Sequence, residues 1–249
     1  MQAPLSGVRI LDLSAVVSGP MAAGILADQG ADVIKVETQG GDLTRRVGPI
    51  QGDMTSLFAT INRGKRAIVL DLKQAAAQDI LRQLIEKTDV LVENFRPGAM
   101  ARLGFGYEQV KAWNPRIVYV SITGFGQTGP YSGYRVYDPV IQAVSGFADA
   151  HPDFDTQEPR LLQTLMCDKI TALTAAQVEA LAGEVAVDHG DDDVAMVWLD
   201  GPVHQHHRTI QNAGVPHGVA PNANEEGGLG VTHQLAHQFN ALHLMVFCR

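Results

Sequence analysis

The chain has 249 residues, 45% of them hydrophobic, and a formal net charge of −8; it is long enough for a full core, and its acidic balance disfavours nonspecific nucleic-acid binding. No apolar run approaches the roughly 20 residues that span a bilayer, and the start Met1-Gln2-Ala3-Pro4 lacks a basic stretch followed by an apolar one, so a cytoplasmic protein with no membrane partner is expected. Cys167 and Cys248 are the only cysteines, too few for a disulfide scaffold, and are read as reduced thiols.

Residues 8–13 read as a short buried strand, and residues 19–27 as a mostly apolar helix closed by Gly30. Residues 32–37 form a second strand, followed by a glycine-rich polar loop over residues 38–53. The rhythm continues with a strand at 67–72, a helix at 75–87, a strand at 90–92, a helix near 107–112 and a strand at 116–122. Two further helices are expected at 138–148 and 165–181. Strands alternating with helices predict an α/β fold with a doubly wound, mostly parallel, Rossmann-like sheet. Such sheets bind ligands beyond the carboxyl ends of their strands. The loops 14–20, 94–98 and 124–130 fall there, so a ligand cleft is expected at that edge.

Beyond this point the composition changes. Residues 178–249 hold 9 of the 27 acids but only Arg208 and Arg249 among the 19 bases, and they contain eight of the nine histidines and no lysine. Two compositions are joined near Gln177, and the helical periodicity fades after about Leu181. We therefore divide the chain into an α/β domain over 1–181 and a divergent tail over 182–249, expected to be disordered in part, in which residues 235–247 are read as a terminal helix. The sets His204/His206/His207 and His233/His237 lack a carboxylate or cysteine at metal-site spacing, so no metal centre is assigned.

Pattern alone gives a cleft without chemistry: no Walker loop or G-x-S-x-G elbow is present, and no dinucleotide G-x-G-x-x-G is expected. Specific motifs supply more. Residues 4–13 (PLSGVRILDL), Ser18-Gly19-Pro20 and residues 30–37 (GADVIKVE) come first. Asn62-Arg63-Gly64-Lys65-Arg66, Leu70-Asp71-Leu72-Lys73, Val92-Glu93-Asn94-Phe95-Arg96-Pro97-Gly98, Asn114-Pro115-Arg116 and residues 124–130 follow in order. Over about residues 4–177 the sequence resembles the N-terminal part of the family III CoA-transferases, which include formyl-CoA and carnitine CoA-transferases and the α-methylacyl-CoA racemases.

The resemblance implies an enzyme that moves coenzyme A between carboxylic acids through an aspartyl-CoA intermediate. Its reactive aspartate corresponds to Asp168, at the start of an expected helix, where exposed N–H groups favour an anion. It implies CoA contacts at Val17, Ser18, Thr38, Leu70, Asp71, Leu72, Lys73, Asn94, Phe95, Arg96, Arg102, Arg135, Val136, Tyr137 and Asp138. Of these, Lys73, Arg96, Arg102 and Arg135 are suited to phosphates and are expected to converge on one face. Thr38 stands where the family often has a basic residue. The implied partners are acyl-CoA and a carboxylic acid, with no tightly bound cofactor and no nucleic acid, in an interlocked homodimer. Two alternatives remain at this point: a racemase-like enzyme, disfavoured because Tyr137 replaces the racemase histidine, and an inactive fragment that binds CoA. The second follows from the expectation that the sheet is incomplete relative to the family, the tail being truncated or frameshifted.

Overall fold

The computed structural model describes residues 2–52, 54–188, 196–198 and 243–247. Five parallel strands form the body of its main sheet: β1 (Arg9–Asp12), β2 (Asp32–Glu37), β5 (Arg66–Val69), β6 (Val90–Glu93) and β7 (Val118–Thr123). Their spatial order, β5-β2-β1-β6-β7, is the 3-2-1-4-5 order of a Rossmann-like sheet. The chain runs outward one way from β1 to β2 and β5, then returns to the other side of β1 for β6 and β7. The reversal between β1 and β6 leaves a crevice at their carboxyl ends.

Strand alternation sorts the core into two layers. Ile10, Val90, Val92, Val118 and Val120 face α1 (Ser18–Asp28) and α8 (Met166–Asp188), while Leu11, Leu91, Ile117 and Tyr119 face α3 (Ala75–Ile85) and α5 (Tyr107–Trp113). On the first face the helices meet through small residues. Ala22 and Ala23 of α1 and Ala172 and Ala175 of α8 are all fully buried, which lets the two helix backbones approach closely while covering the valine-rich face of the sheet.

Several local expectations change. The loop at 38–53 contains a single 3-10 turn, Leu43–Arg46, started by the Asp42 side chain, which accepts from Thr44 N at 2.9 Å. Its last part, β3 (Ile50–Gln51), forms a two-residue ladder with β4 (Met54–Thr55) just beyond it. Next comes the short helix α2 (Ser56–Ile61), capped by the Thr55 hydroxyl accepting from Phe58 N at 3.0 Å; another, α4 (Ala99–Arg102), follows β6. Both are too short for periodicity to register. The helix expected over 138–148 is two, α6 (Asp138–Val144) and α7 (Phe147–Ala150), because Gly146 takes φ +82° between them, a left-handed conformation that ends a helix.

The tail departs most from expectation. α8 runs to Asp188, past Leu181. The segments Met196–Trp198 (β8) and His243–Phe247 (β9) are strands, with β9 antiparallel to β7 and β8 antiparallel to β9. The terminal helix is thus corrected to a strand at residues 243–247. A short apolar run is ambiguous between the two states, and the open edge of β7 supplies hydrogen-bond partners that favour strand. These two segments are parts of the sheet. The histidines at 204, 206, 207, 233 and 237 lie outside the described residues.

Candidate functional site

A cavity of about 310 Å³ opens at the carboxyl edge of the sheet, over the crevice between β1 and β6. Its wall takes Ala15, Val16 and Ser18 from the loop after β1, residues 94–97 from the loop after β6, and residues 122–125 from the end of β7. The far side is closed by residues 134–138, by Ile141 of α6 and by Cys167, Asp168 and Thr171 of α8.

The loop after β1 is held in an unusual shape. Val16 has φ +69°, a conformation that costs a β-branched residue roughly 1–3 kcal/mol and persists only where the surroundings impose it. Asn94 imposes part of it: its amide accepts from Ala15 N at 2.8 Å and donates to Ala15 O at 2.7 Å. Two buried ammonium groups hold the loop's ends, Lys35 Nζ donating to Ser14 O at 2.9 Å and Lys65 Nζ to Pro20 O at 2.7 Å. Gly19 is required beneath it, since a Cβ there would lie 2.3 Å from Ser14 Cβ.

Those lysines belong to a buried ionic cluster. Lys65 Nζ is 2.8 Å from Asp12 Oδ2, and Lys35 Nζ is 3.1 Å from Asp42 Oδ2 and 3.9 Å from Asp12 Oδ2. Burial alone would raise the Asp12 carboxyl, but Lys65 and Lys35, with hydrogen bonds from Lys65 and Ser14, bring it below the usual range. The sequence reading missed this cluster as a structural device. A lysine at a core-facing position within Val33-Ile34-Lys35-Val36 was its visible signal.

The α8 end of the cavity has no such ammonium pair among the described residues. Asp168 is the third residue of α8, whose first intrahelical bond runs from Lys169 N to Leu165 O at 3.1 Å. Leu165 has no side chain able to cap, and the Asp168 N–H is instead satisfied from another helix, donating to Asp138 Oδ2 at 2.9 Å. Burial, then the negative charge of Asp138, pushes the Asp168 carboxyl up to about 6. Burial, then Asp138 and Asp168, pushes the neighbouring Cys167 thiol up to about 12. At neutral pH the adjacent pair therefore presents a carboxylate and an inert thiol. Under the wall, burial raises Glu93 to about 7 against the opposing effects of a hydrogen bond with Ser121 and the Phe95 N–H at 2.7 Å. Gln127 Nε2 donates to Ser121 Oγ at 2.8 Å, so this one carboxyl links the loops after β6 and β7.

The cavity brings together Ser18, Asn94, Phe95, Arg96, Arg135, Val136, Tyr137, Asp138 and Asp168. Val17, Thr38, Leu70, Asp71, Leu72, Lys73 and Arg102 are not in its wall. Val17 and Leu70 are buried, whereas Thr38, Asp71, Lys73 and Arg102 are exposed. Of the four basic residues expected to converge, Arg96 and Arg135 share the cavity; Lys73 follows β5, two strands from β1, and Arg102 ends α4. Residues missed by the sequence reading include Val16, Glu93, Lys65 and Gln142. Residues 124–129 do spell G-x-G-x-x-G after β7, which corrects the expectation that this pattern is absent. Here the chain continues in turns to Tyr137 instead of opening a helix, so the helix start that receives a pyrophosphate in dinucleotide folds is missing.

Comparison with known proteins gives the site its context. The model of the family described as CoA-transferase family III matches residues 5–221, well into the lysine-free tail and beyond the limit near Gln177 set by the motifs. An acetyl-CoA:oxalate CoA-transferase of Acetobacter aceti is 48% identical over 153 residues, covering 60% of this chain and 39% of that protein. A succinate–glutarate CoA-transferase of Agrobacterium fabrum is 41% identical over 192 residues, covering 72% and 48%. A crystal structure of a CAIB/BAIF family protein from Brucella suis aligns with TM-score 0.71 and 36% identity, over 77% of this chain and 52% of that one. The chain spans about half or less of the length of these curated relatives. No helix among the described residues is long and apolar enough to cross a membrane, and none of their His, Cys, Asp and Glu side chains form a group able to hold a metal.

Proposed function

The chain belongs to CoA-transferase family III, and from that premise we propose that it moves coenzyme A between carboxylic acids with Asp168 as the covalent nucleophile. The observation that carries this reading is the half-buried Asp168 carboxyl, raised to about 6, at the head of a cavity that also presents Arg96 and Arg135. Above its midpoint the group is an anion with little solvation to shed, which is what attack on a thioester requires.

The exchange balances without an external acid or base. A carboxylate oxygen of Asp168 bonds to the acyl carbon of acyl-CoA, and the C–S bond breaks to release CoA thiolate, leaving a mixed anhydride. The thiolate adds to the side-chain carbonyl of Asp168, the donor acid leaves as its carboxylate, and an aspartyl-CoA thioester remains. An acceptor carboxylate then runs the same two steps in reverse and leaves as its CoA thioester. Oxyanion character develops beside the start of α1, which has no side-chain cap and places Ser18 on the wall; its first N–H groups are suited to receive that charge. Arg96 and Arg135 are suited to the phosphates of CoA or to the carboxylate of a dibasic acid. The names of the relatives pair acetyl-CoA with oxalate and succinate with glutarate, and small carboxylic acids are the substrate class we infer. The same reading includes a cytoplasmic location and a homodimer; light scattering on the purified chain checks the second.

The central test is trapping. The full chain is incubated with acetyl-CoA or succinyl-CoA, quenched with hydroxylamine and digested, and mass spectrometry locates the hydroxamate. Label on the peptide containing Asp168, lost in Asp168→Asn while CoA binding is retained, is the expected result. Label on another carboxylate, or undiminished transfer by Asp168→Asn, overturns the reading.

A further inference from the structure

We propose that Gln142 is a positioning residue that sets the placement of the Asp168 carboxyl at the cavity, acting through Asp138 and through the segment leading into α8. The inference rests on the reading of Asp168 as nucleophile and goes beyond it, because Gln142 does not itself line the cavity.

Gln142 is 1% exposed and lies one helical turn after Asp138 on the same face of α6. Its Nε2 donates to Asp138 Oδ1 and to Thr164 O, the latter at 3.0 Å, while its Oε1 accepts from Leu162 N at 2.7 Å. Both amide protons and the carbonyl are thus in use. The orientation is unique: a flipped amide would set Oε1 against the Asp138 carboxylate and Thr164 O, and Nε2 against the Leu162 N–H, three repulsive contacts in a buried site.

The consequences reach Asp168 by two routes. Asp138 can cap α8 only while its own carboxylate is aimed at the Asp168 N–H, and the Gln142 amide fixes that aim by holding the other oxygen. The segment at residues 162–164 enters α8 directly, and Gln142 holds it at both Leu162 and Thr164. An apolar residue of similar size would fill the space equally well, so the amide's distinct contribution is orientation. The titratable and charged groups that share the cavity wall with Asp168 are Arg96, Tyr134, Arg135, Tyr137, Asp138 and Cys167. Asp138 alone among them bonds to both Gln142 and Asp168.

The test compares the full chain with Gln142→Leu and Gln142→Glu in two measurements: an NMR titration of the Asp168 carboxyl, and the rate of acetyl-CoA labelling at Asp168 with CoA affinity measured alongside. With the amide gone, the charge of Asp138 bears more fully on Asp168. The titration midpoint of Gln142→Leu should move upward by roughly half a pH unit or more, and its labelling rate should fall roughly 10–100-fold with CoA affinity little changed. The carboxylic acid that Gln142→Glu introduces can still donate to Asp138 while it is protonated. The labelling rate of Gln142→Glu relative to the unaltered chain should therefore approach one near pH 5 and drop toward pH 8. An unmoved midpoint in Gln142→Leu overturns the inference. So does a loss of rate and CoA affinity in equal proportion at every pH, which marks general damage to the fold. Absence of label on Asp168 in the unaltered chain, together with a shifted midpoint in Gln142→Leu, discards the nucleophile and leaves the positioning of this carboxyl by Gln142 standing.

Discussion

Two buried groups of carboxylates sit at the same edge of one sheet and behave in opposite ways. Under the loop after β1, Asp12 meets the ammonium groups of Lys65 and Lys35, and its carboxyl is held below the usual range. Around the cavity, Asp168 faces Asp138 and forms no ion pair among the described residues, and its carboxyl rises to about 6. Burial is common to both, so burial alone does not decide the outcome; the sign of the nearest charge does. The paired group has become scaffold, gripping backbone carbonyls at both ends of the strained loop. The unpaired group keeps its charge weakly held, as the nucleophile proposed above requires.

The largest effect should come from breaking the paired group. Lys65→Met leaves Asp12 buried without its closest partner, a change that typically costs about 3–5 kcal/mol, and denaturant unfolding should show it. A loss below about 1 kcal/mol would mean that Lys35 alone satisfies Asp12.

Neutralising the unpaired group should do the reverse. The folded value of Asp168 lies above its ordinary 3.8, and that of Glu93 above 4.5, so folding favours their protonated forms. Their contribution is fully present below those ordinary values and is lost as pH rises through about 6 and about 7. Asp168→Asn should therefore raise stability at pH 8 by about 1–2 kcal/mol and change little at pH 4. Asp12 and Glu37 have lowered values, and their contribution is lost only as pH falls through them. The melting temperature of the unaltered chain should accordingly peak on the acid side of neutrality, near about pH 5, and a peak at pH 8 would contradict the assignment of the raised carboxyls.

The smallest effect marks the boundary of the comparison. Arg66 and Asp32 form a bidentate pair across β5 and β2, but both are exposed. Arg66→Ala should cost no more than about 0.5 kcal/mol, since solvent screens what the interior amplifies.

How much of this was legible in advance follows the same division between local and long-range causes. The parallel strands and their helices could be read because each is a local pattern, whereas Asp168 and Asp138 were singled out only by what the family resemblance implies at their positions. The Asp12–Lys65 pair joins residues 53 apart in sequence and depends on where a loop returns, which no local pattern encodes. Gln142 shows the same limit: its turn-by-turn relation to Asp138 is local, but its other partners lie in an irregular segment about 20 residues on. The strand at His243–Phe247 reads as helix in the sequence because its identity depends on the free edge of β7, a property of the assembled sheet.

The cap on α8 has one more consequence. Because Leu165 cannot serve the first turn, the Asp168 amide proton is shielded only by a carboxylate that arrives from α6. Helix formation by residues 166–188 is therefore not enough to slow its exchange with solvent deuterium; α6 must also be docked. A single amide thus reports, by its protection factor, whether the α8 end of the cavity is assembled, independently of whether any substrate has been found.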